Sequence, residues 1–524
     1  MPLTRPHSFT IHRWIRMRKL FWFVVQVGRQ LWRAGRWLKW VSNMSAMLAG
    51  LGPGKMKADL SKFESALQKM RPTSSVSVAI VGAGYTAAAL LTHLLDRRPD
   101  VAEKIVVFGK GSFGHGAAFG TLHPDFRLNV RAQIMQLRPA KPDLFPIWSE
   151  ACLQDEDAYC EAGQFYRRAD FARYIDHELG QLPYNEDVKF IRQQVISVRY
   201  EHSLSSWHLR TDTGDEYTAL TLILATGNPE PNWPCPIEQA CLQHEGNLLI
   251  KSPWTGSWLH DCDPEKTVLL VGGGLTAMDT VYALGRAEHR GNIHLVTPLG
   301  MLPPAQTGWV PAEAVKWPDE ISSASAVIGF MADHLKQQPQ CLWTDSEWQS
   351  RFEALRVHLN PVWRGLPAAE KRRLIAHLGG AWSLTRYRSA PQTSQMAAQM
   401  LSSGQLILHT GRVNQISVGN RGESFSAYIC SGQLLNTNII VNCTGIGRDP
   451  LLAAMISDHV IQADAFGRGP QLADNLQLCS VDGDPYPSGY GIGAMTAGSE
   501  GDVVGATTIA RQAASLAHHL TDGL

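Results

Sequence analysis

Four patterns that would name a chemistry outright are missing from this chain. There is no C-x-x-C pair, no H-E-x-x-H, no nucleophile elbow and no Walker A loop. The nine cysteines (Cys152, Cys160, Cys235, Cys241, Cys262, Cys341, Cys430, Cys443 and Cys479) are scattered, which argues against a zinc site and a dithiol reductase and fits a reducing compartment. Net charge is almost absent, at +1, so nothing global points to nucleic acid or to an acidic partner. A cytoplasmic protein that handles a small molecule, with no metal, is expected. At 524 residues the chain is long enough for two or more domains with sizeable cores.

Acidic residues are lacking altogether before Asp59, while Arg13, Arg16, Arg18, Lys19, Arg29, Arg33, Arg36 and Lys39 crowd that segment among Trp14, Trp22, Trp32, Trp37 and Trp40. Its longest apolar run, Leu20 to Val25, is far too short to span a bilayer. The arginines continue past that run, so no clear signal peptide is present. Residues 1–72 therefore read as a basic, tryptophan-rich extension outside the catalytic fold. One reading is an amphipathic helix resting on an anionic membrane surface, a peripheral contact. The others are a disordered extension, or a start assigned too early, with Met44, Met47 or Met56 as the true first residue.

What is present begins at Val76-Ser-Val-Ala-Ile-Val-Gly82-Ala-Gly84-Tyr85-Thr86-Ala87. A β-branched run leads into Gly-x-Gly-x-x-Ala and a helix, the order a dinucleotide site needs. Gly82 permits the turn, Gly84 lets a pyrophosphate approach the backbone, and Ala87 lets helix and strand pack closely. The helix N-terminus supplies free N–H groups for phosphate. Ile105-Val-Val-Phe108 reads as the second strand of this unit. An acidic residue that holds ribose hydroxyls is expected at its end, but the chain has Gly109-Lys110.

The pattern returns at Thr267-Val-Leu-Leu-Val-Gly272-Gly-Gly274-Leu275-Thr276-Ala277, with Asn292 to Val296 as its second strand. Two hydrophobic strands close on similar turns, Ala225-Thr226-Gly227 and Cys443-Thr444-Gly445. Two fingerprints in one chain are much more specific than one. The expected fold class is α/β, with two Rossmann-like dinucleotide-binding domains, a helical insertion and the basic N-terminal extension. The first domain would take residues 73–240 and 446–524. The second would take 241–445, with the insertion at 305–400, where Trp348, Phe352, Leu355, Leu359 and Trp363 have helical spacing.

A loop rich in glycine, Gly116-Ala-Ala-Phe-Gly120-Thr-Leu-His-Pro124, is followed by Leu128-Asn129-Val and Pro142-Asp-Leu-Phe-Pro-Ile-Trp148. These stretches resemble the FAD/NAD(P)-binding protein family of bacterial flavoproteins, to which the YdhS-like proteins belong. Phe165 to Tyr174 resembles the segment that follows in that family, and the resemblance runs from about Val76 to Leu520. It implies FAD at the first fingerprint and NAD(P)H at the second, so that nicotinamide meets flavin for hydride transfer. Expected cofactor-binding residues are Gly82, Gly84, Tyr85, Thr86, Ala87, Asn129, Thr226 and Gly227, then Gly272, Gly274, Leu275, Thr276, Ala277, Thr444 and Gly445, and finally Gly493. Gly493 lies in Gly489-Tyr-Gly-Ile-Gly493, ahead of a small-residue helix from Ala506 to Leu520.

Asn129 and Arg131 stand in the loop expected near the flavin, and Arg386 and Arg388 at alternate positions suit the clamping of an anionic group; these four are the catalytic candidates. Loop hydrogen bonding and interdomain ion pairing are the competing readings. Trp382 to Pro391 resembles a family motif in which histidines flank the first arginine; here Thr385 and Tyr387 hold those places. The segment Thr297-Pro-Leu-Gly300 carries neither an arginine for NADP nor an acid for NAD. The expected function is an FAD-dependent NAD(P)H oxidoreductase, with a monooxygenase as one form of it, although the signature Phe-x-Gly-x-x-x-His is missing. The alternatives are a regulatory flavin binder at a membrane surface and a quinone-directed reductase.

Overall fold

The computed structural model describes residues 74–521, apart from 122, 184, 337–341 and 420–423. The basic extension and Cys341 lie outside the described residues.

Two sheets, one mixed and one parallel, carry the two fingerprints. In the first, Ser74–Val81 lies between Glu216–Leu224 and Ile105–Phe108, with Lys189–Ile191 beyond and Pro485–Gly491 on the other side. Val78 to Val81 and Ile105 to Phe108 are all buried. Helices cover both faces of such a sheet, so its strands read as unbroken apolar runs rather than as alternation. Glu216–Leu224 changes neighbours along its length. Its first half pairs antiparallel with Ser206–Thr211, and its last three residues pair parallel with Gly489, Tyr490 and Gly491.

In the second sheet, Val268–Val271 lies between Ile439–Asn442 and Ile293–Thr297, flanked by Leu249–Ile250 and Leu406–Thr410, all parallel. Val268 and Leu270 pack into one apolar cluster while Leu269 and Val271 pack into another, as the period of two in a strand dictates. A three-stranded antiparallel sheet, Val413–Val418, Phe425–Ile429 and Leu434–Thr437, completes the second cluster.

The insertion is helical from Ala324 onward, later than 305. Its aromatic stripe falls on two helices, Ser346–Arg356 and Leu359–Gly365, rather than on one. With Ala324–Lys336 and Ala368–Arg386 they enclose an apolar core around Trp317, Phe352 and Trp363. Lys371 is buried with its ammonium over the Trp363 ring at 5.7 Å. No helix among the described residues is long and apolar enough to cross a membrane.

Candidate functional site: two glycine turns and a shared cleft

The two fingerprints are built alike down to single contacts. Gly82 has φ +113° and Gly272 has φ +101°, conformations that favour glycine. A methyl group on Gly82 would stand 2.1 Å from the Ala225 carbonyl oxygen, and one on Gly272 would stand 2.7 Å from that of Cys443. The amide of Gly82 donates to Phe108 O and that of Gly272 to Val296 O, at 2.8 and 2.9 Å. The amides of Ala225 and Cys443 donate to Val81 O and Val271 O, at 2.7 and 2.8 Å. Each glycine turn thus rests on a strand that ends in Thr-Gly.

The helices that follow, Tyr85–Arg97 and Leu275–Arg286, start at Gly84 and Gly274 with no side-chain cap and no acidic residue in the first turn. That leaves N-terminal amides and the positive end of the helix dipole for an anion. A methyl on Gly274 would meet nothing within 4 Å, so the backbone there lies open to a ligand.

The turns differ at one place. Gly109 and Thr297 are equivalent, each following a strand residue paired with the residue before the fingerprint (Phe108 with Val81, Val296 with Val271). A methyl on Gly109 would stand 2.5 Å from the Ala83 methyl, whereas in the second unit Thr297 fills this space against Gly273. The Ala83 methyl, and its backbone nitrogen at 2.9 Å, therefore stand where a side chain at 109 would begin. Lys110, next along, pairs with Asp212 at 2.7 Å.

A cleft of about 870 Å³ opens on the first turn. Gly82, Gly84, Tyr85, Thr86, Thr226 and Gly227 line it. So do Lys251 and Arg448, two cations that the sequence did not single out. The cradle is the right kind of place for a dinucleotide pyrophosphate: close backbone, free helix-end amides and nearby positive charge. Gly493, at φ +92°, brings the C-terminal segment against Thr86, where a methyl would stand 2.6 Å from the hydroxyl oxygen. The Tyr85 hydroxyl donates to Gln136 O and Ala506 O, at 2.9 and 3.1 Å. Burial raises its pKa far above the usual phenol range, and it is held as a neutral donor. Ala87, one turn further, is wholly buried against the sheet.

Gly272, Gly274, Leu275, Thr276, Ala277, Thr444 and Gly445 line neither this cleft nor the cavity beside it. Thr444 is held by Asn442 Oδ1, which accepts from its hydroxyl at 2.6 Å. The two crossing segments touch: Asn442 Nδ2 donates to Asn232 O at 3.1 Å, and a methyl on Gly447 would stand 2.0 Å from Glu230 O.

The four catalytic candidates come together but line neither cavity. Asn129 Nδ2 donates to Arg388 O at 3.1 Å. Arg131 lies over the Trp309 ring at 4.5 Å and donates to Trp309 O at 2.7 Å. Arg388, fully buried, pairs with Glu353 at 2.6 Å, and Arg386 pairs with Asp502 at 2.9 Å. Burial lowers the Arg388 pKa to about 10 against the pull of Glu353. Burial would lower Arg386 as well, but Asp502 and Glu353 outweigh it and raise its pKa. Both guanidiniums are thus committed to carboxylates of this chain. Glu353 and Asp502 carried no sequence signal, since neither belongs to a motif.

Residues 79–229 match the FAD-NAD(P)-binding family model, and residues 157–352 match that of L-lysine 6-monooxygenase/L-ornithine 5-monooxygenase. No curated protein matches the chain. Solved structures with a similar fold include the ornithine N-hydroxylase of Kutzneria sp. 744, at 15% identity and TM-score 0.55, covering 86% of this chain and 100% of that one. The ornithine hydroxylase of Pseudomonas aeruginosa matches at 14% identity and TM-score 0.58, covering 86% and 99%. The L-lysine 6-monooxygenase of Pseudomonas syringae matches at 15% and 0.57, covering 86% and 100%. With its paired glycine turns and the FAD-NAD(P)-binding match across the first of them, the chain is a flavin-dependent oxidoreductase with FAD and NAD(P)H as cofactors.

Proposed function

We propose that the protein is an NAD(P)H-using flavin monooxygenase acting on a small molecule, with FAD at the Gly82 turn and the pyridine nucleotide at the Gly272 turn. The observation that carries this is the repetition of one cradle on two sheets, each glycine seated on the carbonyl of a strand ending in Thr-Gly. The match of residues 157–352 to the lysine and ornithine monooxygenase model supports the oxygen-using form. Bound flavin supplies hydride acceptance and the reaction with oxygen.

The chain's own residues then bind, orient and exclude water. First-turn amides of Tyr85–Arg97 hold phosphate, and Lys251 and Arg448 add positive charge along the cleft. Tyr85 fixes the start of the helix Ala506–Thr521, whose residues Ala506 and Ile509 line the same cleft. Asn129, Arg131, Arg386 and Arg388 act as positioning residues: their network joins the loop after Gly120 to the insertion and holds Asp502 at the rim of the adjoining cavity. Contact with anionic lipid belongs to the basic extension; co-sedimentation of the full chain with phosphatidylglycerol vesicles tests it.

The decisive experiment is anaerobic reduction. The purified full chain is expected to show a flavin absorption band that NADH or NADPH bleaches, and to consume oxygen in step with substrate. Failure to take up flavin even on reconstitution would sink the reading. Flavin that neither nucleotide bleaches would favour a regulatory binder.

A further inference from the structure

A second cavity of about 870 Å³ adjoins the dinucleotide cleft; Gly227, Pro229, Asp449, Ala494 and Val504 line both. Its lining includes Met331, Trp363, Leu374 and Leu378 of the helical insertion, with Phe466 stacked on the Trp363 ring at 6.0 Å, and Met495. A molecule held there lies beside the dinucleotide cleft, against a largely apolar lining.

Three carboxylates reach this lining, and each is already committed. Asp449 caps the helix Pro450–Ser457, accepting from the amides of Leu451 and Leu452 at 2.8 and 3.2 Å. Asp464 accepts from the amides of Phe466, Arg468 and Gly469, at 2.9, 3.1 and 3.0 Å. Asp502 Oδ2 is shared by Arg356 at 2.5 Å and Arg386 at 2.9 Å, while its Oδ1 is buried without a hydrogen-bond partner among the described residues. The cations are disposed the other way. Arg372 and Arg468 line the cavity and are exposed, and among the described residues neither has a carboxylate within ion-pair distance. The Arg372 guanidinium donates to a carbonyl, Ala465 O, at 3.0 Å.

An ammonium brought into such a site loses its water and meets carboxylates whose oxygens already accept from backbone amides, as in Asp449 and Asp464, or from guanidiniums, as in Asp502, a large penalty. An apolar body gains in proportion to the surface it hides, and an anionic group finds exposed guanidinium donors with no carboxylate partner. Building on the flavoenzyme reading above, we propose that this cavity is the substrate site and that it takes a bulky apolar molecule whose polar end is anionic. The substrate class thus differs from the ornithine and lysine named for the structural relatives.

Titration calorimetry on the full-length, flavin-loaded protein tests this with decanoate, decylamine and L-ornithine as probes. Decanoate is expected to bind at least about tenfold more tightly than decylamine, with no saturable heat from ornithine. Leu378→Asp should weaken decanoate at least about tenfold, because it places a charge in the apolar wall. The paired exposed substitutions Arg372→Gln and Arg468→Gln should bring decanoate and decylamine to within about threefold of each other; unchanged circular dichroism checks that both variants fold. Decylamine or ornithine binding as tightly as decanoate would overturn the proposal, as would decanoate binding that ignores Leu378→Asp. NADPH bleaching of the same sample separates the two readings. Bleaching without decanoate binding ends the substrate assignment alone, whereas decanoate binding without bleaching keeps the cavity's ligand class and ends the reductase reading.

Discussion

Arg168 Nη2 lies 2.5 Å from Asp279 Oδ2, joining the helix Arg168–Gly180 to the helix that follows the second glycine turn. Burial pushes the Asp279 carboxyl up to about 6, with Arg168 pulling the other way. The folded state therefore binds this proton more tightly than an unfolded chain, whose aspartates titrate near about 3.9. The stabilisation linked to it is full below that value and is lost as pH rises through about 6. Asp279→Asn removes the titration. Its stability relative to the parent is expected to improve by on the order of 2–3 kcal/mol between pH 4 and pH 7 in urea unfolding. Parallel curves for the two proteins would show that Arg168 offsets the burial completely.

Gly82 and Gly274 predict opposite outcomes for one substitution. Gly82→Ala drives a methyl into the Ala225 carbonyl at a φ of +113°, and should cost about 1–3 kcal/mol and most of the bound flavin. Gly274→Ala meets open space at φ −82°, so the melting temperature should hold while KM for the pyridine nucleotide rises about tenfold. Thermal unfolding and steady-state kinetics on the two variants check the contrast.

The missing ribose acid is a matter of room. Gly109→Glu should destabilise by about 1–3 kcal/mol, because its Cβ collides with the Ala83 methyl. Adding Ala83→Gly should restore most of that stability and tighten FAD binding, measured by flavin fluorescence on release. A double variant no more stable than the single one would show that another contact excludes the side chain.

Glu353 holds Arg388 at 2.6 Å and also pairs with Arg356. Glu353→Gln leaves a fully buried guanidinium without its carboxylate, and a loss of about 3–5 kcal/mol is expected. Arg388→Met, which removes charge and leaves apolar volume, should lose less. Chemical denaturation ranks the two, and the reverse order would mean that Arg388 has another anionic partner.

The glycine turns were legible because backbone geometry admits few residue types there: a positive φ beside a carbonyl reads as glycine in any sequence. The Thr-Gly strand ends were legible for the same reason, Gly227 and Gly445 having φ of +74° and +94°. Arg386 and Arg388 were visible as a pair, but their partners were not. Glu353 lies on a separate helix and Asp502 far along the chain, and ion pairs across such distances leave no periodicity to read. In Lys371-Arg-Arg373 the three cations look equivalent for a related reason: only packing against Trp363 decides which one is buried. Gly109 looked like a defect in the fingerprint until Ala83 was seen to fill its space.

The strand Glu216–Leu224 waits for its last neighbour. Gly489, Tyr490 and Gly491 pair with Leu222, Ile223 and Leu224, and Trp207 packs so closely there that a methyl on Gly489 would stand 2.3 Å from its ring. The helix Ala506–Thr521 in turn packs on Tyr85–Arg97. While the chain is being made, the first sheet therefore keeps an open edge and an uncovered apolar face until residues 485–521 have left the ribosome. The second sheet, complete by Asn442, is free to fold first. A ribosome stalled before residue 485 would hold a finished pyridine-nucleotide half beside a flavin half with one bare edge, the species that chaperones and proteases would meet.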